Sequence, residues 1–368
     1  MPGALHGIRI VEFAGIGPGP FAGMMLADHG AEVIRIERPG AAFGPAALAR
    51  SRRSVAIDLK LGAAVARDLC RGADGIIEGY RPGVMERLGL GPDVLIGDTP
   101  HLVYGRMTGW GQHGPLAQAP GHDINYIAIS GVLDGIGIPG QPPVAPVNYV
   151  GDFGGGAMML AFGMVSALLA VKMGAPGQVV DAAMTDGSAM LSAMSWGFKR
   201  AGMWPDGPGA ALLSGAAPFY RSYACADGRH IAVGAIEPAF YAALVAGLGL
   251  VPGDLPPQML PAEWPHTARR FAEIFATRTR DQWADHFADS DACVSPVLTL
   301  GEAAAHPHNR ARATFSGGEP APAPRFSATP ADAIRAPGSV GAETDAVLAE
   351  LGYDPEYIAE LRATGAIG

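Results

Sequence analysis

The opening of the chain commits it to a parallel sheet. Residues 8–13 (Ile-Arg-Ile-Val-Glu-Phe) have the length and β-branched content of a buried strand, and a glycine–proline turn, Gly15 to Pro20, follows. Residues 21–29 then read as a short helix stopped by Gly30, and 32–36 as a second strand. Strands joined through a crossover helix pair in parallel. The turn also satisfies a dinucleotide-binding pattern through Gly17, Gly19 and Ala22, with Glu37 at the spacing of a ribose-binding acid. Pro18 and Pro20 argue against that use, since neither has an N–H to offer a pyrophosphate, and Arg35 and Arg38 bracket the acid. A nicotinamide-dependent oxidoreductase is disfavoured on these grounds.

The alternation of strand and helix continues. Strands are expected at 54–57, 75–78, 102–107 and 178–181, and helices at 61–72, 84–88, 157–171 and 185–199. Residues 201–217 are then rich in Gly, Pro and Ala. Beyond them, strands at 220–224, 229–233 and 294–297 and helices at 240–248, 269–275 and 280–288 describe a smaller α+β unit. Length agrees, because 368 residues exceed what one core usually serves. The predicted class is α/β, with a Rossmann-like parallel sheet in a large domain over 1–200. A linker over 201–218, a small α+β domain over 219–300 and a return linker over 301–329 follow. Terminal helices over 330–368 complete the large domain.

Composition narrows function. A formal net charge of −9 excludes a nucleic-acid groove as the main function. Even so, Arg35, Arg38, Arg50, Arg52, Arg53 and Lys60 place six cations within 26 positions. They form either a solvated face or a pocket for a phosphorylated ligand, because Arg and Lys give charge-assisted bonds to phosphate oxygens. Arg81, in the turn after the 75–78 strand, would face the same sheet edge, where open α/β sheets bind ligands. Cys70, Cys225 and Cys293 are too scattered for a disulfide framework or a zinc site, and His306 and His308 have no further ligand nearby, so no metal is expected. There is no secretory leader or peroxisomal tripeptide, and the 15-residue apolar run at 157–171 falls short of the roughly 20 residues that span a bilayer. The expectation is a cytoplasmic protein with no membrane partner and no nucleic-acid partner.

Two phrases carry chemistry. The first is Gly121-His122-Asp123-Ile124-Asn125-Tyr126, and the second is Gly151-Asp152-Phe153-Gly154-Gly155-Gly156 ahead of the apolar run. Asp152 sits where a helix N-cap belongs, with glycines that would let a ligand approach the backbone. A helix start offers unpaired N–H groups to an oxyanion, and His122 and Asp152 would suit proton abstraction beside a carbonyl. Each residue also has an ordinary reading: His122 as a hydrogen-bonded structural histidine, Asp152 as a plain cap.

The order of such phrases is familiar. Gly7-Ile-Arg-Ile-Val-Glu12, Val33-Ile-Arg-Ile-Glu-Arg-Pro39, Asp58-Leu-Lys60, Gly79-Tyr-Arg-Pro-Gly83, Arg106-Met-Thr-Gly-Trp-Gly111, the two phrases above, Ile236-Glu-Pro238 and the helical tail occur in sequence. Together they resemble the family III CoA-transferases and, within them, the α-methylacyl-CoA racemases. That resemblance implies an interlocked-ring homodimer with the active site at the subunit interface and CoA at the carboxyl edge of the sheet. The CoA contacts it implies are Arg38, Leu59, Lys60, Tyr80, Arg81, Asp123 and Tyr126. In the transferases the residue matching Asp152 attacks the acyl-CoA to give a mixed anhydride. In the racemases the residues matching His122 and Asp152 move protons, and the one matching Glu237 hydrogen-bonds the histidine.

The expected reaction is therefore 1,1-proton transfer at C2 of a 2-methylacyl-CoA thioester, through an enolate, with no cofactor beyond the CoA moiety of the substrate. His122 would abstract from one epimer while Asp152 delivers to the opposite face. An unperturbed aspartate titrates at about 3.9, so burial beside an apolar pocket has to hold Asp152 partly protonated. The alternative is CoA transfer between carboxylic acids. A non-catalytic acyl-CoA binder would keep the arginines and tolerate loss of His122 and Asp152. The methionines Met158, Met159, Met184, Met190 and Met194 either fill the core or line an acyl pocket.

Overall fold

The computed structural model describes residues 2–41, 46–205 and 207–368. Residues 39–49, whose small residues in the sequence predict a loop over a ligand site, lie partly outside the described residues, as does one position of the linker expected over 201–218. Six strands, β1 (Arg9–Phe13), β2 (Glu32–Glu37), β3 (Arg53–Ala56), β4 (Gly75–Glu78), β5 (Val103–Thr108) and β6 (Gln178–Ala183), form one sheet. Their order is β3-β2-β1-β4-β5-β6 and every neighbouring pair is parallel. This is the doubly wound order, which reverses between β1 and β4 and opens a crevice at their carboxyl ends.

Alternating side chains bury both faces. Val11, Ile34, Val55, Ile76 and Tyr104 pack with the helix Ala63–Arg71 and the terminal helices Thr344–Glu350 and Pro355–Ala363. Ile10, Val33, Ile77 and Val103 meet the helices Pro18–Asp28 and Met158–Lys172 on the other face. The chain's end lies along β3, where Ile367 bridges Ile57 and the Gly368 N–H donates to Ala56 O at 3.0 Å. Pro18 opens its helix at the first position, where a missing N–H leaves nothing unpaired that would otherwise have been bonded.

The apolar run is longer than expected. A π-helical segment, Tyr149–Ala157, leads straight into Met158–Lys172. The resulting 24-residue helix has the length and hydropathy to cross a bilayer, which corrects the expectation of a run too short to do so. One side of it, with Leu160, Met164 and Leu168, is nevertheless buried against β5 and β6. The other side exposes Met158, Phe162, Val165, Leu169 and Met173, spaced as one helical stripe.

The chain forms two compact units, one comprising Met1–Ser130, Val147–Ala193 and Ala321–Gly368, the other Gly131–Pro146 and Met194–Pro320. This division differs from the expected one. Residues 131–146, expected inside the large domain, belong to the second unit, as do 194–218 and 301–320. The cause is local: the Gly209 N–H reaches Asp134 O at 3.4 Å and Ser214 Oγ donates to Gly135 O at 2.6 Å. The second unit carries an antiparallel sheet of β7 (Tyr220–Ala224), β8 (His230–Gly234) and β9 (Val294–Pro296). Phe219, Tyr223, Phe271, Phe275, Trp283 and Phe287 form its aromatic core.

Candidate active site

A cavity of about 900 Å³ lies at the carboxyl ends of β1 to β4. Arg38, Leu59, Lys60 and Tyr80 line it, as four of the expected CoA contacts, and so does Arg87, which the sequence did not suggest. None of the three cations has an ion-pair partner among the described residues, which leaves their charge for a ligand. Arg81 is exposed in the adjoining turn and does not line the cavity. Tyr80 is held from below, because its N–H donates to the buried Glu78 at 2.7 Å and Glu78 in turn accepts from Arg106 Nε at 2.9 Å.

The remaining cations have another use, and this corrects the phosphate-pocket reading of the cluster. Arg50 pairs with Asp28, Arg52 with Glu12, and Arg53 with both Glu32 and Glu350. Arg35 lies 3.7 Å from Glu12 and 3.5 Å from Glu37. Only Arg38 and Lys60 of the six face the cavity as free charge. Glu37 is engaged as well, accepting from Ser54 Oγ at 2.5 Å.

Beside the cavity rim stands the Asp152 carboxylate. Ile16 lines the cavity, and the next residue, Gly17, has φ +68 and would place a Cβ 3.2 Å from Asp152 Oδ2. Only glycine takes that backbone shape cheaply and leaves the acid room. Phe21 and Phe153 stack at 4.7 Å behind the turn. Asp152 is not the N-cap. Asn148 holds that position, and Asp152 lies within the first turn of the π segment. Its Oδ2 accepts from Asn148 Nδ2 at 3.1 Å, and its own N–H donates to Asp123 Oδ2 at 2.7 Å. The Asp152 amide is therefore occupied and does not serve an oxyanion. Asn148 was missed in the sequence, although it stands four residues before Asp152, the spacing at which helical side chains meet.

The glycines after Asp152 serve packing, in place of the expected ligand approach. A Cβ on Gly187 would lie 1.8 Å from Gly155 O, and one on Gly156 would lie 2.8 Å from Met184 Cγ. They admit the helix Met184–Leu191 against the π segment. Of the methionines, Met184 is core, whereas Met158 and Met190 are exposed.

His122 caps the helix Asp123–Ile129 and is exposed, with its N–H held by Asn125 Oδ1 at 3.0 Å. Asp123 and Tyr126 are both buried. The Tyr126 hydroxyl donates to Gly121 O at 2.5 Å, and Gly109 and Gly121 make room for its ring. Tyr126 thus braces the approach to His122. The Asp152 carboxyl is pushed above its ordinary range, first by burial; Asp123 adds to this, while Asn148 and His122 oppose it. Glu237 belongs to the second unit, where it is the exposed N-cap of the helix Pro238–Gly247.

An acid held toward its protonated form, a histidine whose charge acts on it, and a cation-lined cavity at the switch point suit proton transfer on an anionic ligand. Sequence comparison decides the family: the model for CoA-transferase family III matches residues 5–344. The chain belongs to CoA-transferase family III. Among curated relatives of this family, mouse α-methylacyl-CoA racemase is 49% identical, covering 98% of this chain and 96% of the relative. Human α-methylacyl-CoA racemase is 44% identical with the same coverage. In fold, the chain is similar to a CAIB/BAIF family protein from Brucella suis, with a TM-score of 0.83 at 24% identity over 95% of this chain and 100% of that one.

Proposed function

We propose that this family member is an isomerase that interconverts (2R)- and (2S)-2-methylacyl-CoA thioesters by 1,1-proton transfer. The observation that carries the reading is an Asp152 carboxyl raised by burial, with the charge of His122 acting on it. A general acid must carry its proton at working pH, and a nucleophilic carboxylate must not. Identity of 49% and 44% to two racemases supports the same choice over CoA transfer. The thioester carbonyl acidifies the α-proton, His122 takes it from one face, and Asp152 returns one to the other. Glu237 keeps the part the resemblance implies, supporting the imidazolium. Arg38, Lys60 and Arg87 bind the phosphates of CoA, and Leu59 and Tyr80 give the adenine apolar walls. Arg81, Asp123 and Tyr126 remain CoA contacts by resemblance. The reaction draws on no cofactor beyond the CoA moiety itself.

The test is proton NMR of a 2-methylacyl-CoA in D2O with the protein and no second acid. Loss of the α-proton signal with epimerisation is expected. An α-proton that persists while CoA moves to added succinate or formate would make Asp152 a nucleophile and the protein a transferase.

The functional form is a homodimer, interlocked as the resemblance implies. The stripe of Met158, Phe162, Val165, Leu169 and Met173 supports this, since an apolar helix face of that length asks for cover. Sedimentation velocity at micromolar concentration should give the mass of two chains. A single-chain mass under conditions of full activity would rule the dimer out.

A further inference from the structure

Asp123 is the buried carboxylate that the proton-transfer scheme leaves without a task. It follows His122 directly in the chain, as the first residue of the helix that His122 caps. Its side chain is 7% exposed, and Oδ2 accepts the Asp152 N–H at 2.7 Å. Among the described residues, Oδ1 is buried with no hydrogen-bond partner. One peptide link to His122 and one hydrogen bond to Asp152 make Asp123 a direct connection between the two proton-transfer groups. The surroundings are shaped for it: a Cβ on Gly151 would lie 2.5 Å from Asp123 Oδ2 and 3.1 Å from its carbonyl oxygen. Burying a charge without a counter-ion is costly, and an asparagine would make the same bond to the amide. The negative charge itself therefore calls for a reason.

We propose that Asp123 is a positioning residue for the proton-transfer pair: it fixes the Asp152 main chain relative to His122 and stands as a second negative charge beside the Asp152 carboxylate. This rests on the racemase reading. The other groups facing Asp152 are few. Asn148 donates to it from its own helical segment, the charge of His122 at the helix cap acts on it, and Gly17 approaches from the β1 turn without a charge. Tyr126, on the helix of Asp123, senses Asp152 and Arg81, but its hydroxyl is bonded to Gly121 O. Among these, Asp123 alone adds to burial in favouring the protonated acid; Asn148 and His122 act the other way.

The pH dependence of kcat/KM for racemisation tests this, and either epimer serves, because the equilibrium constant ties the two directions together. The active pair carries one proton, so the acid limb marks the arrival of a second. Asp123→Asn keeps the acceptor for the Asp152 amide and removes the charge. Adding a second proton to the pair then becomes harder, and the acid limb should move to lower pH by about 0.5–1 unit. A raised KM with an unmoved acid limb would make Asp123 a CoA contact only and overturn the inference. Gly151→Ala provides a second arm, since it displaces the Asp123 carboxylate while keeping both charges. It should lower kcat by about ten- to a hundredfold, as a small misplacement of a reacting group does, with KM for acyl-CoA nearly constant. An unchanged kcat in Gly151→Ala also overturns the inference. Wild-type protein that exchanges no α-proton defeats the racemase reading and takes this inference with it. Wild-type protein that exchanges normally, with the Asp123→Asn limb unmoved, defeats this inference alone.

Discussion

Asp152→Asn should lower racemisation about a thousandfold, within the range that positioned general acids and bases contribute. The substitution keeps the shape and the neighbouring Asn148, so the loss reports on the proton and not on packing. His122→Ala should cost a similar factor, and the informative quantity is what each variant retains. With two groups on opposite faces, each single variant still exchanges the α-proton of one epimer with solvent, with retention. In His122→Ala, Asp152 must act as the base, and it can do so only when ionised. Burial holds its carboxyl above the usual range, so this residual exchange should rise with pH, at a pH higher than an ordinary aspartate would set. Deuterium incorporation into separated epimers, followed by NMR across the pH range, measures it. A His122→Ala enzyme with near wild-type turnover would remove the histidine from the chemistry and leave the anhydride mechanism, in which Asp152 alone is indispensable.

The sequence made some parts of this arrangement legible and concealed others for identifiable reasons. The central parallel strands could be read because apolar residues fill both of their faces, such as Ile10 and Val11 on β1. His122 and Asp152 stood out through their flanking phrases. The role of the glycines was not legible. Gly155 looks the same in sequence whether a ligand or Gly187 approaches it, and only the fold shows that it is Gly187. The bond from the Asp152 amide to Asp123 was hidden for a similar reason, because the two residues lie 29 positions apart. The arginines were the hardest to assign. A run of cations resembles a phosphate site until its counter-ions are known, and Glu12, Asp28, Glu32 and Glu350 come from other strands, helices and the chain's far end.

The ion cluster around Glu12 yields the largest expected effect on stability. Glu12 is 0% exposed on β1, with Arg52 bonded to Oε2 and Arg35 3.7 Å from Oε1. Gly23 makes the space, since a Cβ there would lie 2.2 Å from Glu12 Oε2. Burial pushes the Glu12 carboxyl up and the Arg52 guanidinium down, so each ion is tolerated because the other is present. Glu12→Ala leaves two arginines buried without their shared counter-ion, which should cost about 3–5 kcal/mol. Differential scanning calorimetry should record this as a fall in midpoint on the order of 10 °C. The attraction within the cluster largely offsets its own desolvation, so replacing Glu12, Arg35 and Arg52 together by leucine or methionine of similar volume should recover most of that loss. Recovery of stability need not restore activity. Arg52 Nη2 also donates to Pro20 O at 2.9 Å, in the first turn of the helix that follows Ile16 and Gly17. Those two residues join the cavity to Asp152. A triple variant that melts like the wild type but turns over slowly would show that the ions are kept for placing that turn. If the triple variant melted as low as Glu12→Ala, the cluster would instead be a net source of stability.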